Sequence, residues 1–277
     1  MFTISRFKKT IAPVQKNVLL FFLAFFLSCE GTAFPAPEPE VAMRTQIENR
    51  AIEYANKKQY PEAIETFEQV LKIDPEIYTS KQLLSFLQGR EKIDPVLLDL
   101  NIQGSFFQSR GKDAEAIAVF GQAMQKFSSS PYAYVKLAEI FLKKGDAHQA
   151  LRILDQVLRL VKNNWFISYL QGAAYAMDSD QKMAMQCFQE AFRGNPNSAD
   201  VRFALGSIYF GKRKAEAAIA VLEKVGELNS EYVYLPIVYD LLARCYLQKG
   251  DRVKAKAYYQ DALASGRKIP DLQASLG

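Results

Sequence analysis

A 34-residue period governs most of this chain. Ala116, Ala150, Ala184 and Ala218 follow one another at that interval, and steps of 53 and 37 residues extend the frame to Ala63 and Ala255. Twelve residues before each alanine stands another small residue: Ala51, Gly104, Ala138, Gly172, Gly206 and Ala243. Nine before it comes an aromatic ring (Tyr54, Phe107, Phe141, Tyr175, Tyr209, Tyr246), and four after it a large apolar residue (Phe67, Phe120, Leu154, Phe188, Leu222, Tyr259). A smaller apolar residue closes each copy: Val70, Ala123, Val157, Ala191, Val225 or Ala262. Self-similarity at such a period means one supersecondary unit repeated, each copy burying its apolar face on the next. Small residues let two antiparallel helices approach closely, and the large residues beside them fill the facing grooves.

This pattern resembles the tetratricopeptide repeat (TPR) over residues 44–267. The resemblance implies an all-α, right-handed α-solenoid of six helical pairs, starting near 44, 97, 131, 165, 199 and 236, within a body spanning 44–277. Gly111, Gly145 and Gly250 fall in the turns between paired helices, where a left-handed residue ends the first helix. Pro75 and Pro196 stand where a second helix should end. Two irregularities interrupt the period. Leu83, Leu84 and Leu87 have helical spacing inside the 76–95 insert, which predicts one extra helix near 79–91, either a packing spacer or a docking feature. The three-residue excess before the sixth repeat predicts a lengthened loop at Ser230–Leu235. After Ala264 there is room only for a short cap from Pro270.

The N-terminus reads as an export signal. Arg6, Lys8, Lys9 and Lys16 precede ten apolar residues, Val18 to Leu27, which make a helix of about 15 Å, half a hydrocarbon core. Phe26-Leu27-Ser28-Cys29 resembles a bacterial lipobox, with Ser28 and Cys29 matching and Phe26-Leu27 departing from the commonest form. That resemblance implies a signal peptide at 1–28, lipidation (palmitate) of Cys29 and attachment to a membrane. Two alternatives stay open: cleavage after Gly31-Thr32-Ala33, releasing a soluble periplasmic or secreted protein, and an uncut segment serving as a short anchor. Phe34-Pro-Ala-Pro-Glu-Pro-Glu40 then reads as a semi-rigid tether, completing a 29–43 linker. The expected location is the bacterial cell envelope, with the body in the periplasm and the outer membrane favoured.

Net charge is +5, from 35 basic and 30 acidic side chains, but four of the basic ones lie in residues 1–28, where no acid occurs. A nearly neutral body lacks the clustered Lys and Arg that phosphate backbones require, so no nucleic-acid partner is expected. The single histidine, His148, is expected in solvent near a turn. Cys187 and Cys245 fall on helices two repeats apart, where buried free thiols are expected. Asp178-Ser-Asp180 lacks the remaining ligands and the glycine of a calcium loop. With no nucleophile elbow, phosphate loop or convergent metal ligands, neither catalysis, cofactor nor metal is expected.

The TPR resemblance further implies a concave surface lined by a second stripe on each first helix. In the third repeat it runs through Tyr132, Val135, Glu139, Leu142 and Lys143. Phe166, Tyr169, Ala173, Ala176 and Met177 continue it in the fourth, and Asp200, Phe203, Ser207, Phe210 and Gly211 in the fifth. Repeats one and two are more polar there (Thr45, Glu48, Asn56, Asn101, Ser105, Gln108). Tyr132, Val135, Leu142, Phe166, Tyr169, Ala173, Met177, Phe203 and Phe210 are the candidate peptide-binding residues, expected as an exposed apolar groove. The basic clamp of chaperone-adaptor TPRs is absent, which favours an apolar or amphipathic segment over a C-terminal carboxylate. The expected function is a scaffold or adaptor for an envelope protein. In architecture the chain is similar to TPR lipoproteins that serve outer-membrane assembly, pilus secretin assembly or peptidoglycan-enzyme control. The alternative is a self-associating structural protein whose groove is filled by the 34–43 linker or by a second protomer, a homo-oligomer.

Overall fold

A computed structural model describes residues 39–229, 232, 234–265 and 272. The signal segment, Cys29 and Ala33 lie outside the described residues. Helical pairs follow one another along the chain: α1 (Pro39–Asn56) with α2 (Tyr60–Ile73), α4 (Pro95–Ser109) with α5 (Asp113–Lys126), and α6 (Pro131–Lys143) with α7 (Ala147–Leu158). Then come α8 (Trp165–Met177) with α9 (Gln181–Gly194), α10 (Ala199–Gly211) with α11 (Ala215–Leu222) and α12 (Lys224–Leu228), and α13 (Leu235–Gln248) with α14 (Arg252–Ala264). The extra helix, α3, spans Tyr78–Gln88 and ends in a short 3₁₀ turn at Arg90–Lys92. Helix α1 begins at Pro39, so the last residues of the expected 29–43 tether belong to the first helix.

The small and large positions of the period meet as their sizes require. A Cβ on Gly104, Gly172 or Gly206 would stand 2.5–2.7 Å from Phe120, Phe188 or Leu222 respectively, so the absence of a side chain is what admits the bulky partner. The six reference alanines, from Ala63 to Ala255, have no exposed surface. Every turn between paired helices is built alike. Lys58, Gly111, Gly145, Ser179, Arg213 and Gly250 all adopt φ between 56° and 81°. The next residue's N–H then donates to the carbonyl of the periodic aromatic, as from Lys112 to Phe107 (2.9 Å) and from Lys214 to Tyr209 (2.9 Å). This is the Schellman closure of a helix C-terminus. Asp146, Asp180 and Asp251 cap the second helices that follow, accepting from the backbone three residues on.

Between the first and second repeats the stacking changes. Helix α3 takes the place beside α2 that a following repeat would occupy, and α4 packs against α1 instead. Leu83 and Leu87 of α3 are fully buried. The insert thereby turns the first repeat across the concave side of the array. Glu76 accepts from Asn195 Nδ2 (2.6 Å), Tyr78 accepts from Asn164 Nδ2 (2.9 Å), and Phe86 meets Tyr132 edge-on at 5.4 Å. Near the other end, Tyr232 and Tyr234 from the lengthened loop fold over Phe203, with centroids 6.1 and 5.5 Å away. Pro270 lies outside the described residues; Leu272 is buried against Ala243, Tyr259 and Ala262 and covers the last pair.

Candidate functional site

The groove expected from the stripe is largely closed by the chain itself. Val135, Leu142, Ala173 and Phe203 have no exposed surface and form part of the core rather than a groove. Tyr132 is buried too, shares a 2.9 Å hydrogen bond with Ser105, and borders only a small void beneath α3. Met177 and Phe210 are half-buried packing residues. Phe86 of α3 packs on Tyr132, and Tyr232 and Tyr234 pack on Phe203, contacts that no single repeat specifies, while Val135, Leu142 and Ala173 join the continuous core of neighbouring pairs. Of the nine candidates, Phe166 and Tyr169 line the cleft that persists.

That cleft holds about 140 Å³. The start of α1 (Arg44, Thr45, Glu48) and the α2–α3 link (Asp74 to Thr79) form one wall. Lys136, Glu139 and Lys143 of α6 form the other, Trp165, Phe166 and Tyr169 of α8 the floor, and Asp200 of α10 one end. Tyr78 stacks on Phe166 at 4.6 Å and Phe166 on Tyr169 at 5.9 Å, while Trp165 meets both Tyr78 and Phe166 edge-on. Offset and edge contacts of this kind contribute about 0.5–1.5 kcal/mol each beyond area burial.

The cleft is rich in charge, and the charge is unevenly compensated. Arg44 Nη1 lies 2.6 Å from Asp74, Lys136 Nζ 2.7 Å from Glu139, and Lys143 Nζ 3.1 Å from Asp113. Glu48 accepts from Ser80 Oγ at 2.6 Å. Burial works against the charged forms of Arg44 and Lys136, but the carboxylates around them prevail and both are raised overall. Asp200 is the opposite case. Burial, with Asp74 adding repulsion, pushes its carboxyl up to about 6, against the 2.8 Å hydrogen bond from Tyr232 Oη and the more distant Arg44. Tyr169, behind it, is raised well above its ordinary value, first by burial and then by the Asp200 charge.

Arg44, Asp74, Glu76 and Tyr78 escape a reading of the repeat pattern, because they belong to a link and a helix start that reach repeats four and five only through the fold. Glu139, Lys143 and Asp200 stand in the stripe, and their sign is the signal that could have marked them. His148 is 80 % exposed, 3.6 Å from Asp178. Cys187 and Cys245 are buried free thiols, raised by burial to about 11 and about 12. Among the described residues, no three His, Cys, Asp or Glu side chains converge as metal ligands, and no helix is long and apolar enough to cross a membrane.

Four family models, each describing a tetratricopeptide repeat, match residues 47–77, 109–164, 184–226 and 237–265, together more than half of the sequence. The chain is a tetratricopeptide repeat protein. No curated protein matches it significantly. Solved TPR structures share its fold at low identity. MamA from Desulfovibrio magneticus RS-1 (20 % identity, TM-score 0.54) covers 64 % of this chain and 99 % of its own. PilF of Pseudomonas aeruginosa (22 % identity, TM-score 0.56) covers 65 % of this chain and 79 % of its own. A TPR protein from Parabacteroides merdae (14 % identity, TM-score 0.51) covers 84 % and 83 %. The TPR architecture is a protein-interaction scaffold, and here its concave side carries a charged, aromatic-floored cleft.

Proposed function

We propose that this protein is an exported, lipid-anchored TPR adaptor of the bacterial envelope that holds a segment of a partner protein in the cleft between its first repeat and helices α6, α8 and α10. The observation that carries this reading is the cleft itself. It is bounded by distant parts of the chain, walled by polar groups and floored by aromatic rings, as sites for extended segments are. The 1–28 segment and Cys29 supply the anchor in this reading, and the protein partner lies in the envelope.

Two measurements test it. Cys29→Ala should move the protein from the membrane to the soluble fraction; unchanged fractionation overturns the anchor. A photoreactive side chain in place of Lys143, in the cleft wall, should crosslink an envelope protein in cells, whereas one at the fully solvated Val253 should not. Equal crosslinking from both positions, or crosslinking only to a second copy of this chain, overturns the adaptor reading in favour of self-association.

A further inference from the structure

The cleft's size, charge and rings together specify what it can take. Its volume of about 140 Å³ corresponds to roughly ten water-sized spheres. That space has room for a long side chain. The lining carries three cations (Arg44, Lys136, Lys143) against five carboxylates (Glu48, Asp74, Glu76, Glu139, Asp200). Each cation is already joined to a carboxylate, although the buried Nε of Arg44 has no hydrogen-bond partner. Asp200, by contrast, is held by a neutral donor, the Tyr232 hydroxyl at 2.8 Å; Glu76 accepts from the Asn195 amide at 2.6 Å and pairs with the half-exposed Lys81 at 3.5 Å. Among the described residues these acids do not group as metal ligands.

We propose that the cleft binds an arginine side chain presented by an extended segment of the partner, with Asp200 and Glu76 meeting the guanidinium and Trp165 and Phe166 flanking its stem. This inference rests on the cleft being the partner-binding site and names the chemistry of its ligand. A guanidinium is planar and weakly hydrated, so it sits well against aromatic rings while donating to carboxylates. Its aliphatic stem covers apolar surface at the same time. The raised proton affinity of Asp200 is consistent with a carboxylate short of a cation.

The chain's only tryptophan lines the cleft, so its emission reports occupancy directly. The full chain, purified in detergent, is titrated with acetyl-glycyl-arginyl-glycinamide, with the isosteric but neutral citrulline peptide, and with the leucine peptide. The arginine peptide is expected to give a saturable change with a Kd on the order of 1 mM. The citrulline peptide should bind at least roughly tenfold more weakly, and added salt should weaken only the arginine peptide. Asp200→Asn, which keeps an acceptor for Tyr232, should lower arginine affinity about tenfold with helicity unchanged. Equal binding of arginine and citrulline peptides, tighter binding of the leucine peptide, or an arginine response untouched by Asp200→Asn overturns the inference. Any of those results with Lys143 crosslinking intact leaves the adaptor reading standing; loss of both removes the two together.

Discussion

Repeats two to five and the first repeat with its insert are built from the same helical pair, yet they solve different problems. In the regular stretch every decisive contact is short in sequence: Gly104 with Phe120 and Gly172 with Phe188 lie 16 residues apart, and the copies add up along one dimension. In the first repeat the decisive contacts span 86 residues (Tyr78 to Asn164) and 119 residues (Glu76 to Asn195). The regular part supplies stability by repetition. The irregular part supplies closure, and closure is what converts an open groove into a bounded cleft. Function in a solenoid is therefore sought where the period fails.

The largest effect that tests this division belongs to the regular stretch. Phe188 is almost wholly buried against Gly172, so Phe188→Ala is expected to cost about 3–5 kcal/mol in urea unfolding. Gly172→Ala forces a methyl to within 2.7 Å of the same ring and is expected to cost about 1–3 kcal/mol. Combined with Phe188→Ala, the glycine substitution should lose most of that cost, because the ring it collides with is gone. Additive penalties would mean that the two positions do not share one gap, contrary to the packing described.

Asp200 comes next, at the seam between the two regions. Its folded carboxyl sits at about 6 against an ordinary 3.8, facing Asp74 and Arg44 from the first repeat, Tyr232 from the loop and Tyr169 from α8. A raised carboxyl favours the folded state below the unfolded value, and that contribution is lost as pH rises through about 6. Ionisation at neutral pH thus costs the fold up to about 3 kcal/mol, two units at 1.36 kcal/mol each. Asp200→Asn should recover most of it at pH 7 and almost nothing at pH 3.5, measured by denaturant unfolding at the two pH values. A variant no more stable than the parent at pH 7 would show that Arg44 already compensates the charge across the seam.

Tyr78 measures the closure alone. Tyr78→Ala removes the stack on Phe166 and the acceptor for Asn164, an expected loss of about 2 kcal/mol from a ring pair and a hydrogen bond. Because the contact joins the first repeat to α8, the emission of Trp165 should shift to the red while the helical signal stays constant. Emission unchanged would mean the first repeat is held in place without this ring.

These expectations mark what was readable in the sequence. Packing between paired helices is local, so spacing reveals it: the alanines, the glycines opposite Phe120 and Phe188, and the leucines of α3 all fall where periodicity puts them. Burial of the stripe is not legible, because Val135, Leu142 and Phe203 have the residue types of a groove and of a core alike. For Phe203 it is Tyr232 and Tyr234, arriving from elsewhere, that decide between the two. The cleft's charges were legible as letters but not as a set, since Arg44, Glu139 and Asp200 meet only after four repeats of curvature.

The same lesson holds at the smallest scale, in the turns. Gly111, Gly145 and Gly250 advertise a left-handed residue, whereas Lys58, Ser179 and Arg213 occupy the same conformation with side chains that disfavour it. The period imposes the turn and the local preference yields: the N–H after each left-handed residue must reach the aromatic carbonyl five residues earlier, from Gln59 to Tyr54 as from Asp146 to Phe141. A non-glycine residue in this region costs roughly 1–2 kcal/mol, and glycine's greater freedom in the unfolded chain offsets part of any gain. Arg213→Gly is therefore expected to stabilise by about 0.5–1 kcal/mol, and Gly145→Ala to destabilise by about 1 kcal/mol, both read as shifts in urea midpoint at constant slope. Lys58→Gly, in the repeat that closes the cleft, should match Arg213→Gly if its turn carries only local strain. A smaller gain at Lys58 would show that rigidity in that turn also holds the first repeat across the array.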